Sequence, residues 1–439
     1  MAQRRARLAA AIAATALLLA ACGSDGDSAS TDEQTGGSTD DGAAPESGDT
    51  GATLTMWARS VTAPQTEALV EAYNATHENQ IELTVVPFDS YLQKVTAAAG
   101  GGELPDLLAA NVVEAPNYAQ LGLWQDIGDR IDSLDYADAL APSHIDAGTV
   151  DDQRYAVPHV VDTSALYVNT KILEAAGVDP ADPAPTLQAL ADNIATIQAA
   201  NPDVQGLYVA GNCGGCLVFT IWPSIWASGA EVLSEDGTES LLDQPEALEV
   251  FEAYNQMVAD GAIPEAARNE AGPTQNEPFA TGQAAFSLLG SKALATIPES
   301  DALSIGVVPI PGVDGGRSSF VGGDVLGISS SSEQADAAWD FVQWTLSEEA
   351  QLEVMAKGKN LTVRTDLASN QYSEQDPRLV LLNELVGEGR TPYAVNFFQT
   401  FNDPNGPGLP LIRAGLFGDD PGSEVPELNG AVNDSLQRN

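Results

Sequence analysis

The pattern of apolar and polar residues predicts strands and helices in turn over the residues that follow position 52. Residues 54–57 and the alternating apolar positions between 81 and 85 are typical of short strands. Pro64 opens a helix between these strands, and the next helix ends at three glycines, residues 100–102. Residues 105–110 then predict a third strand. Alternating strands and helices are typical of a sheet covered by helices, which indicates an α/β fold.

The same patterns continue towards the C-terminus, without an internal repeat or a second long apolar segment. Strands are predicted at residues 155–158, 164–168, 305–308 and 320–328. Helices are predicted at residues 187–200 and 245–260, and around Trp339, Val342 and Leu346. About 390 residues follow position 51, which is enough for two or three domains.

The N-terminus has the layout of an export signal. Arg4, Arg5 and Arg7 precede an apolar run, residues 8–21, which is shorter than the roughly 20 residues of a membrane-spanning helix. The run ends in Leu-Ala-Ala-Cys22, which resembles the lipobox of bacterial lipoproteins. That resemblance implies cleavage of a signal peptide, residues 1–21, and attachment of a lipid to Cys22. The alternative is an ordinary signal peptide followed by a chance cysteine.

Residues 22–51 predict a disordered, acidic Gly/Ser tether. They are mostly Gly, Ser, Thr, Asp and Glu, and after Cys22 their only apolar side chain larger than Ala is that of Pro45. Such a segment cannot bury enough surface to offset its ordering entropy. A lipid, a tether and a globular body indicate a protein held at the outer face of the cytoplasmic membrane, facing a periplasm if an outer membrane exists.

The charge of the chain excludes some partners. Eighteen Lys and Arg stand against 63 Asp and Glu, a formal net charge of −45, which becomes −48 when residues 1–21 and their three Arg are removed. So negative a surface repels nucleic acid and anionic lipid headgroups. We therefore expect no nucleic-acid partner.

Two cysteines besides Cys22 form a C-x-x-C pair, Cys213 and Cys216. A disulfide is the first interpretation, because an exported protein folds in an oxidising compartment. A zinc site is not expected, because no His or third Cys lies near enough to complete four ligands. A thioredoxin-like redox pair is a weaker alternative, since the two intervening glycines offer no charge to lower a thiol pKa.

Several segments, in the same order along the chain, resemble one family, the bacterial family 1 extracellular solute-binding proteins. The segments are "LTMW", "IELTVVPFDSYLQKVTAAAGGGELPDLLAAN", "YAQLGLWQDIGDRID", "YAVPHVVDTSALYVNTKILEAAGV", "FATGQAAFSLLGS", "IGVVPIPG", "FVGGDVLGISSSSEQADAAWDFVQWTLSEEAQ" and "LTVRTD". The resemblance covers residues 54–366. Members of the family, of which maltose-binding proteins are the best known, are receptors of ABC importers and mostly carry mono- or oligosaccharides.

The resemblance implies a two-lobed periplasmic-binding-protein fold of type II. Crossing segments near Asp162, Pro309 and Met355 would join the lobes, and the ligand would lie in the cleft between them. The N-terminal lobe would comprise residues 52–162 plus 310–354, and the C-terminal lobe residues 163–309 plus 355–439. The expected function is capture of a sugar by hinge closure and delivery to a membrane permease, by a monomer without a cofactor or metal.

Aromatic side chains and strand ends supply the first candidate ligand contacts. Sugar rings stack on aromatic faces, and Trp222 and Trp226 are four residues apart, on one face of a predicted helix. Trp57 and Ser60 lie at the end of the first strand, and Asn111 follows the third strand, where ligands of α/β lobes bind. The alternatives are core positions for the tryptophans and a turn position for Asn111.

The family resemblance supplies the remaining candidates. It aligns Asp162 with an acidic ligand contact beside the hinge, and Arg364 with a position often near the cleft. Gly323 and Asp324 belong to a Gly-rich segment where backbone can approach a ligand, although its glycines also suit a bulge. Asn212 lies next to the predicted disulfide, which would stiffen a ligand loop. The alternative roles are capping for Asp162 and a surface ion pair for Arg364.

Other classes of function have weaker support. The sequence contains no G-x-S-x-G, no H-E-x-x-H and no P-loop motif, and only three histidines, so we do not expect an enzyme. A secreted carbohydrate-active enzyme is the less favoured alternative, because acidic pairs are abundant. A second alternative is a receptor for a glycerophosphodiester or another polar solute, which would need convergent bases such as Arg59, Arg317 and Arg364.

Overall fold

A computed structural model describes residues 48–438. The predicted signal peptide, the lipid site at Cys22 and the tether up to residue 47 lie outside the described residues. The last four residues of the predicted tether belong to the folded body instead, because Asp49 accepts hydrogen bonds from the main-chain N–H groups of Glu78 (3.0 Å) and Asn79 (2.6 Å). These bonds attach residues 48–51 to the folded body, and the boundary at Ala52 stays a prediction.

The predicted opening series of strands and helices is confirmed. It consists of β1 Thr53–Arg59, α1 Ala63–Thr76, β2 Gln80–Val86, α2 Phe88–Gly101 and β3 Leu107–Asn111. Strand β1 pairs in parallel with both β2 and β3. Helix α2 ends because Gly102 takes a left-handed conformation, with φ of 68°.

Short helices, hairpin strands and one long strand follow. The elements are α3 Ala115–Gln120, α4 Gly128–Asp132, α5 Pro142–Ala147, β4 Thr149–Val150, β5 Gln153–Arg154, β6 Val157–Asn169, α6 Thr170–Ala175, α7 Leu187–Ala200, β7 Gln205–Tyr208, α8 Gly214–Ala227, α9 Pro245–Ala259, α10 Glu265–Arg268 and α11 Glu277–Ala280. The remaining elements are β8 Ala284–Gly290, α12 Lys292–Thr296, β9 Ile305–Val308, β10 Ile310–Pro311, β11 Arg317–Ser318, β12 Val321–Ile328, α13 Ala335–Thr345, α14 Pro377–Glu388, α15 Gly408–Phe417 and α16 Pro421–Leu436.

Eight strands form one sheet in the order β2-β1-β3-β12-β6-β8-β7, with β9 also paired to β6. The long strand β6 divides this sheet. Its residues 157–163 pair with β12, whereas its residues 164–169 pair with β8 and β9. We call the part around β1–β3 and β12 the first lobe, and the part around β7–β9 the second lobe. The residue limits predicted for the two lobes stay a prediction.

Each lobe carries its own helices on the sheet. Helix α1 packs on β2 and α13 in the first lobe, and in the second lobe α15 packs on α9 and α16. Apolar side chains on the inward positions of β1, namely Leu54, Met56 and Ala58, are fully buried. Within the described residues, no helix combines the length and the apolar character needed to cross a membrane.

A bulge in β12 depends on a glycine. The pairing register between β12 and β6 shifts between Asp324 and Val325, and the preceding Gly323 has φ of 112°. A Cβ atom on Gly323 would lie 1.9 Å from the main-chain oxygen of Val160, so no other residue fits this position. The bulge, which the glycines of the sequence suggested, brings Gly323 and Asp324 to the boundary between the lobes.

Candidate functional site

A cavity of about 380 Å³ lies between the two lobes. The first lobe contributes Asn111, at the carboxyl end of β3, and Gly323 of β12 to its lining, whereas the second lobe contributes Phe219 and Lys292. The carboxyl ends of parallel strands are where α/β lobes commonly bind ligands. The volume is at the lower end of the range usual for small-molecule sites.

A buried ion pair supports the wall that the first lobe presents. Arg59, the last residue of β1, donates from Nε to Oδ1 of Asp324 at 2.9 Å, and the hydroxyl of Thr62 donates to the other carboxylate oxygen. Burial opposes the charge of Arg59, but attraction and hydrogen bonding from Asp324 outweigh it and raise the pKa of the guanidinium. Both carboxylate oxygens of Asp324 are used within the protein, so this residue positions Arg59 behind the cavity.

Asp162 of β6 links the two lobes at the edge of the cavity. Its Oδ1 accepts hydrogen bonds from the main-chain N–H of Ser291 (2.8 Å) and from the hydroxyl of the same residue (2.6 Å). A Cβ atom at Gly290 would lie 2.9 Å from Oδ2, so the absence of a side chain there leaves room for the carboxylate. Oδ2 has no hydrogen-bond partner among the described residues and is available to a ligand.

Aromatic rings form the apolar part of the cavity. Phe219 of α8 is partly exposed and lines the cavity, and its ring centroid lies 5.4 Å from that of Phe320. Phe397 contributes to the same lining. Phe320 and Phe397 are buried, so Phe219 offers the exposed ring on which the C–H face of a sugar can pack.

A disulfide holds the start of α8 against the cavity. Cys213 and Cys216 are bonded to each other, and Sγ of Cys213 accepts the main-chain N–H of Cys216 at 3.3 Å. Gly215 and Cys216 both line the cavity. The positive end of the α8 dipole therefore faces the space between the lobes.

Two smaller cavities adjoin the central one. A cavity of about 270 Å³ shares Arg59 with it and is lined by Phe88 and Glu114 of the first lobe and by Phe398. Burial raises the pKa of Glu114 to about 7, although Arg59 opposes the shift. A cavity of about 300 Å³ shares Val61, Lys292 and Thr296 with the central one. Each of these two cavities therefore borders the central one.

The sequence model of one protein family, described as bacterial extracellular solute-binding protein, matches residues 68–379, which is more than half of the chain. The chain belongs to the bacterial extracellular solute-binding proteins.

Relatives of this solute-binding protein match almost its whole chain. The diacetylchitobiose binding protein DasA of Streptomyces coelicolor is 25% identical over 438 residues, covering 97% of each chain. A cyclic α-maltosyl-1,6-maltose binding protein from Arthrobacter globiformis superposes with a TM-score of 0.75 at 23% identity, covering 88% of this chain and 99% of that one. The sugar-binding protein MalE of Xanthomonas citri superposes with a TM-score of 0.77 at 18% identity, covering 88% and 97%. These structures establish the predicted two-lobed fold.

Three of the predicted ligand residues line the central cavity of this solute-binding protein: Asn111, Asp162 and Gly323. Cys216 lines it as well. The structure thus brings together the strand-end asparagine, the aspartate beside the hinge and the bulge glycine. Their contact with a ligand stays a prediction.

The two predicted tryptophans lie in the core of the second lobe. Trp222 has no exposed surface and packs edge-on against Phe401, with ring centroids 4.8 Å apart, and Trp226 packs beneath Phe320 at 5.8 Å. Their spacing correctly put them on one side of α8, but that side faces the core. Phe219 of the same helix lines the cavity and the two tryptophans do not, so their contact with a sugar stays a prediction.

The other candidates do not line the central cavity either. Trp57 lies under the ammonium of Lys94, which is 3.9 Å from its ring centroid, and Oγ of Ser60 accepts the main-chain N–H of Phe88 at 3.1 Å. Asn212 is exposed, and its main-chain N–H donates to Glu270 at 2.8 Å.

Arg364 has the structural role that we gave as the alternative to ligand binding. Its Nε donates to Asp366 at 3.0 Å, and its guanidinium lies 4.1 Å from the ring centroid of Tyr136. Asp324 is likewise structural, because Arg59 and Thr62 occupy its oxygens. Sequence reasoning missed Phe219 and Lys292 as residues that line the cavity. The only sequence signal for Phe219 is that it follows Cys216 by three residues, which places both on the same side of a helix.

Proposed function

We propose that this protein is the substrate-binding component of an ABC importer and that it captures a mono- or oligosaccharide between its lobes for delivery to a membrane permease. The observation that carries the proposal is the central cavity, which both lobes line and which combines aromatic rings with unpaired polar groups. Sugars need that combination, because their C–H faces pack on aromatic rings and their hydroxyls need oriented donors and acceptors.

Named residues match each requirement. Phe219 offers the aromatic face, while the carboxamide of Asn111 and Oδ2 of Asp162 offer hydrogen-bonding groups. The names of relatives support the ligand class, since they include a diacetylchitobiose binding protein, a cyclic α-maltosyl-1,6-maltose binding protein and a maltotriose-binding protein from Pyrococcus abyssi. The two cavities that share lining residues with the central one favour a ligand of more than one ring.

Closure of the lobes is the proposed mechanism. A ligand that contacts Asn111 in the first lobe and Phe219 in the second makes both contacts only when the lobes are together. It therefore stabilises the closed form over the open form by the free energy of the contacts that the open form lacks. The closed form then presents both lobes to the permease, and the ligand leaves chemically unchanged.

The location in the envelope is part of the same proposal. Cleavage before Cys22 and attachment of a lipid would hold the protein at the outer face of the cytoplasmic membrane, as a monomer on an acidic tether. The lipobox-like residues 19–22 support this step. An extracytoplasmic position suits a receptor that meets its solute before the permease does.

The structure gives little support to the two alternatives, a receptor for a glycerophosphodiester and a carbohydrate-active enzyme. Arg59, Arg317 and Arg364, the bases that we considered for a phosphodiester, are each paired with a carboxylate. A glycosidase needs two carboxyl groups beside the scissile bond, and Asp162 is the only one among the described residues that line the central cavity. We therefore propose binding without turnover.

A thermal-shift screen tests the proposal. The purified protein is heated with mono-, di- and oligosaccharides, polyols and glycerophosphodiesters, because a ligand that binds only the native state raises the melting temperature. We expect a rise of several degrees with at least one sugar, and no change in that sugar after prolonged incubation. A rise with a phosphodiester alone, or hydrolysis of the bound sugar, would contradict the proposal.

A further inference from the structure

The cavity of about 300 Å³ beside the central one is built from three separate parts of the chain. Gln65 comes from α1 of the first lobe, and Lys292 from α12 of the second lobe. Lys359 and Asn360 come from the turn that follows a π-helical segment, residues 350–356. This cavity shares Val61, Lys292 and Thr296 with the central one, so the two cavities lie side by side.

The charge around this cavity is opposite to that of the protein as a whole. The chain contains 63 Asp and Glu, yet none of the residues that line the cavity is acidic. Two ammonium groups border it. Nζ of Lys292 donates one hydrogen bond, to the main-chain oxygen of Val61 at 2.8 Å, which leaves two N–H groups. The exposed ammonium of Lys359 makes no hydrogen bond to a described residue, although it attracts the carboxylate of Asp376.

A buried carboxamide in the same lining lacks a partner. Gln65 is only 7% exposed, its Oε1 is buried without a hydrogen bond, and its carboxamide makes no hydrogen bond to any described residue. Nε2 of the same carboxamide is not among the buried unpaired atoms and can offer N–H donors to the cavity.

We infer that this cavity binds an anionic substituent, a carboxylate or a phosphate ester, of a carbohydrate whose rings occupy the central cavity. The inference rests on the proposed function and names its ligand class more narrowly. Lys292 and Lys359 supply the positive charge, and Gln65 supplies directed donors. Apolar neighbours such as Val161 and Leu361 lower the local polarity, which strengthens the attraction between the ammonium groups and an anion.

The site also explains how the anion could favour closure. Its three polar side chains come from the first lobe, the second lobe and the turn after residues 350–356, so an anion that contacts all of them bridges the cleft at a second point. The strongly acidic surface elsewhere on the protein repels anions. The charge of this lining therefore attracts an acidic sugar.

Matched ligand pairs provide the test. Affinities of the purified protein are measured by calorimetry for neutral sugars and their acidic counterparts, such as glucose with glucuronic acid and glucose 6-phosphate, galactose with galacturonic acid, and neutral disaccharides with digalacturonic acid. We expect at least one acidic sugar to bind tenfold or more tightly than its neutral partner. The uronic acids and the phosphate esters distinguish the two kinds of anion.

Two variants locate the effect. Lys359→Met removes one ammonium and should abolish most of the preference for the acidic sugar, while the affinity for the neutral partner changes less than twofold. Lys357→Met is the matched control, because it removes the same charge from the same turn but from a side chain that pairs with Glu353 at 3.1 Å and does not line this cavity. The control should keep the preference.

The outcomes separate this inference from the proposed function. Tighter binding of neutral or N-acetylated sugars, or an acidic preference that survives Lys359→Met, would overturn the anion site and leave sugar capture standing. Failure of every sugar, neutral or acidic, to bind would overturn both.

Discussion

Lys292 of the second lobe donates a hydrogen bond from its ammonium to the main-chain oxygen of Val61 in the first lobe, at 2.8 Å. This bond crosses the mouth of the central cavity, which both residues line. Ser291, the preceding residue, holds Asp162 by two further hydrogen bonds. The residues at the start of α12 therefore connect the second lobe by hydrogen bonds to strand β6 and to the loop that follows β1.

Removal of this contact should shift the protein towards an open form. Lys292→Met loses one charge-assisted hydrogen bond made only when the lobes are together, which corresponds to about 1 kcal/mol or roughly a fivefold loss of affinity. Small-angle scattering should show a larger radius of gyration without ligand. Lys171→Met is the control, because its ammonium bonds to the main-chain oxygen of Ser300 at 2.7 Å within one lobe. The same affinity and the same radius of gyration for Lys292→Met and Lys171→Met would contradict a role of the Lys292 contact in closure.

Two aromatic residues on α8 should respond differently to truncation. Phe219→Ala removes the ring from the cavity and should weaken sugar binding tenfold or more with a small effect on stability. Trp222→Ala removes a fully buried ring and should lower the free energy of unfolding by about 3–5 kcal/mol. Calorimetry and urea unfolding measure the two effects. Strong loss of affinity in a fully stable Trp222→Ala protein would show that our assignment of the pair is reversed.

The difference between these two residues also shows where sequence reasoning ends. Periodicity predicted the strands and helices, and the glycines at 322 and 323 left a bulge open as the alternative to a ligand contact, because those features depend on local conformation. The spacing of Trp222 and Trp226 predicted a shared side of a helix, but it carried no information about whether that side faces the core or the cleft. That direction depends on how α8 packs against segments as distant as Phe397 and Phe401.

Contacts between the lobes were the least predictable part of the site. Arg59 and Asp324 are separated by 265 positions, and Lys292 and Val61 by 231. No local pattern reports such pairs, since each forms only when discontinuous segments of the chain meet. Asn111 was accessible to sequence reasoning because the end of a parallel strand is itself a local feature.

The buried pair behind the cavity should be costly to break. Asp324→Ala leaves Arg59 as an unpaired buried charge, and we expect the free energy of unfolding to fall by about 3–5 kcal/mol. Asp366→Ala is the matched comparison, because the carboxylate of Asp366 is 45% exposed and its pair with Arg364 should contribute less than about 1 kcal/mol. Urea unfolding of both variants gives the comparison. Equal losses would contradict the structural role of Asp324.

Stability should depend on pH through Glu114. Burial raises the pKa of Glu114 to about 7 from 4.5, so the native state holds a proton that the unfolded state has lost between these values, and stability falls as pH rises through this window. The shift corresponds to a free energy on the order of 3 kcal/mol.

The variant Glu114→Gln isolates this effect from that of other buried groups. His144 and His159, whose pKa values burial lowers to about 4, act in the opposite direction over part of the same range. The free energy of unfolding of Glu114→Gln minus that of the unsubstituted protein should therefore increase from pH 4.5 to 7.5. A difference that is constant with pH would contradict the buried, protonated state of Glu114.

The central claim, capture of a sugar by closure of two lobes, is tested most directly by small-angle scattering of the unsubstituted protein with and without the sugar that gives the largest thermal shift. The account predicts a smaller radius of gyration at saturation, and a smaller change for Phe219→Ala at the same sugar concentration. A radius of gyration that stays the same while the sugar is bound would contradict capture by closure.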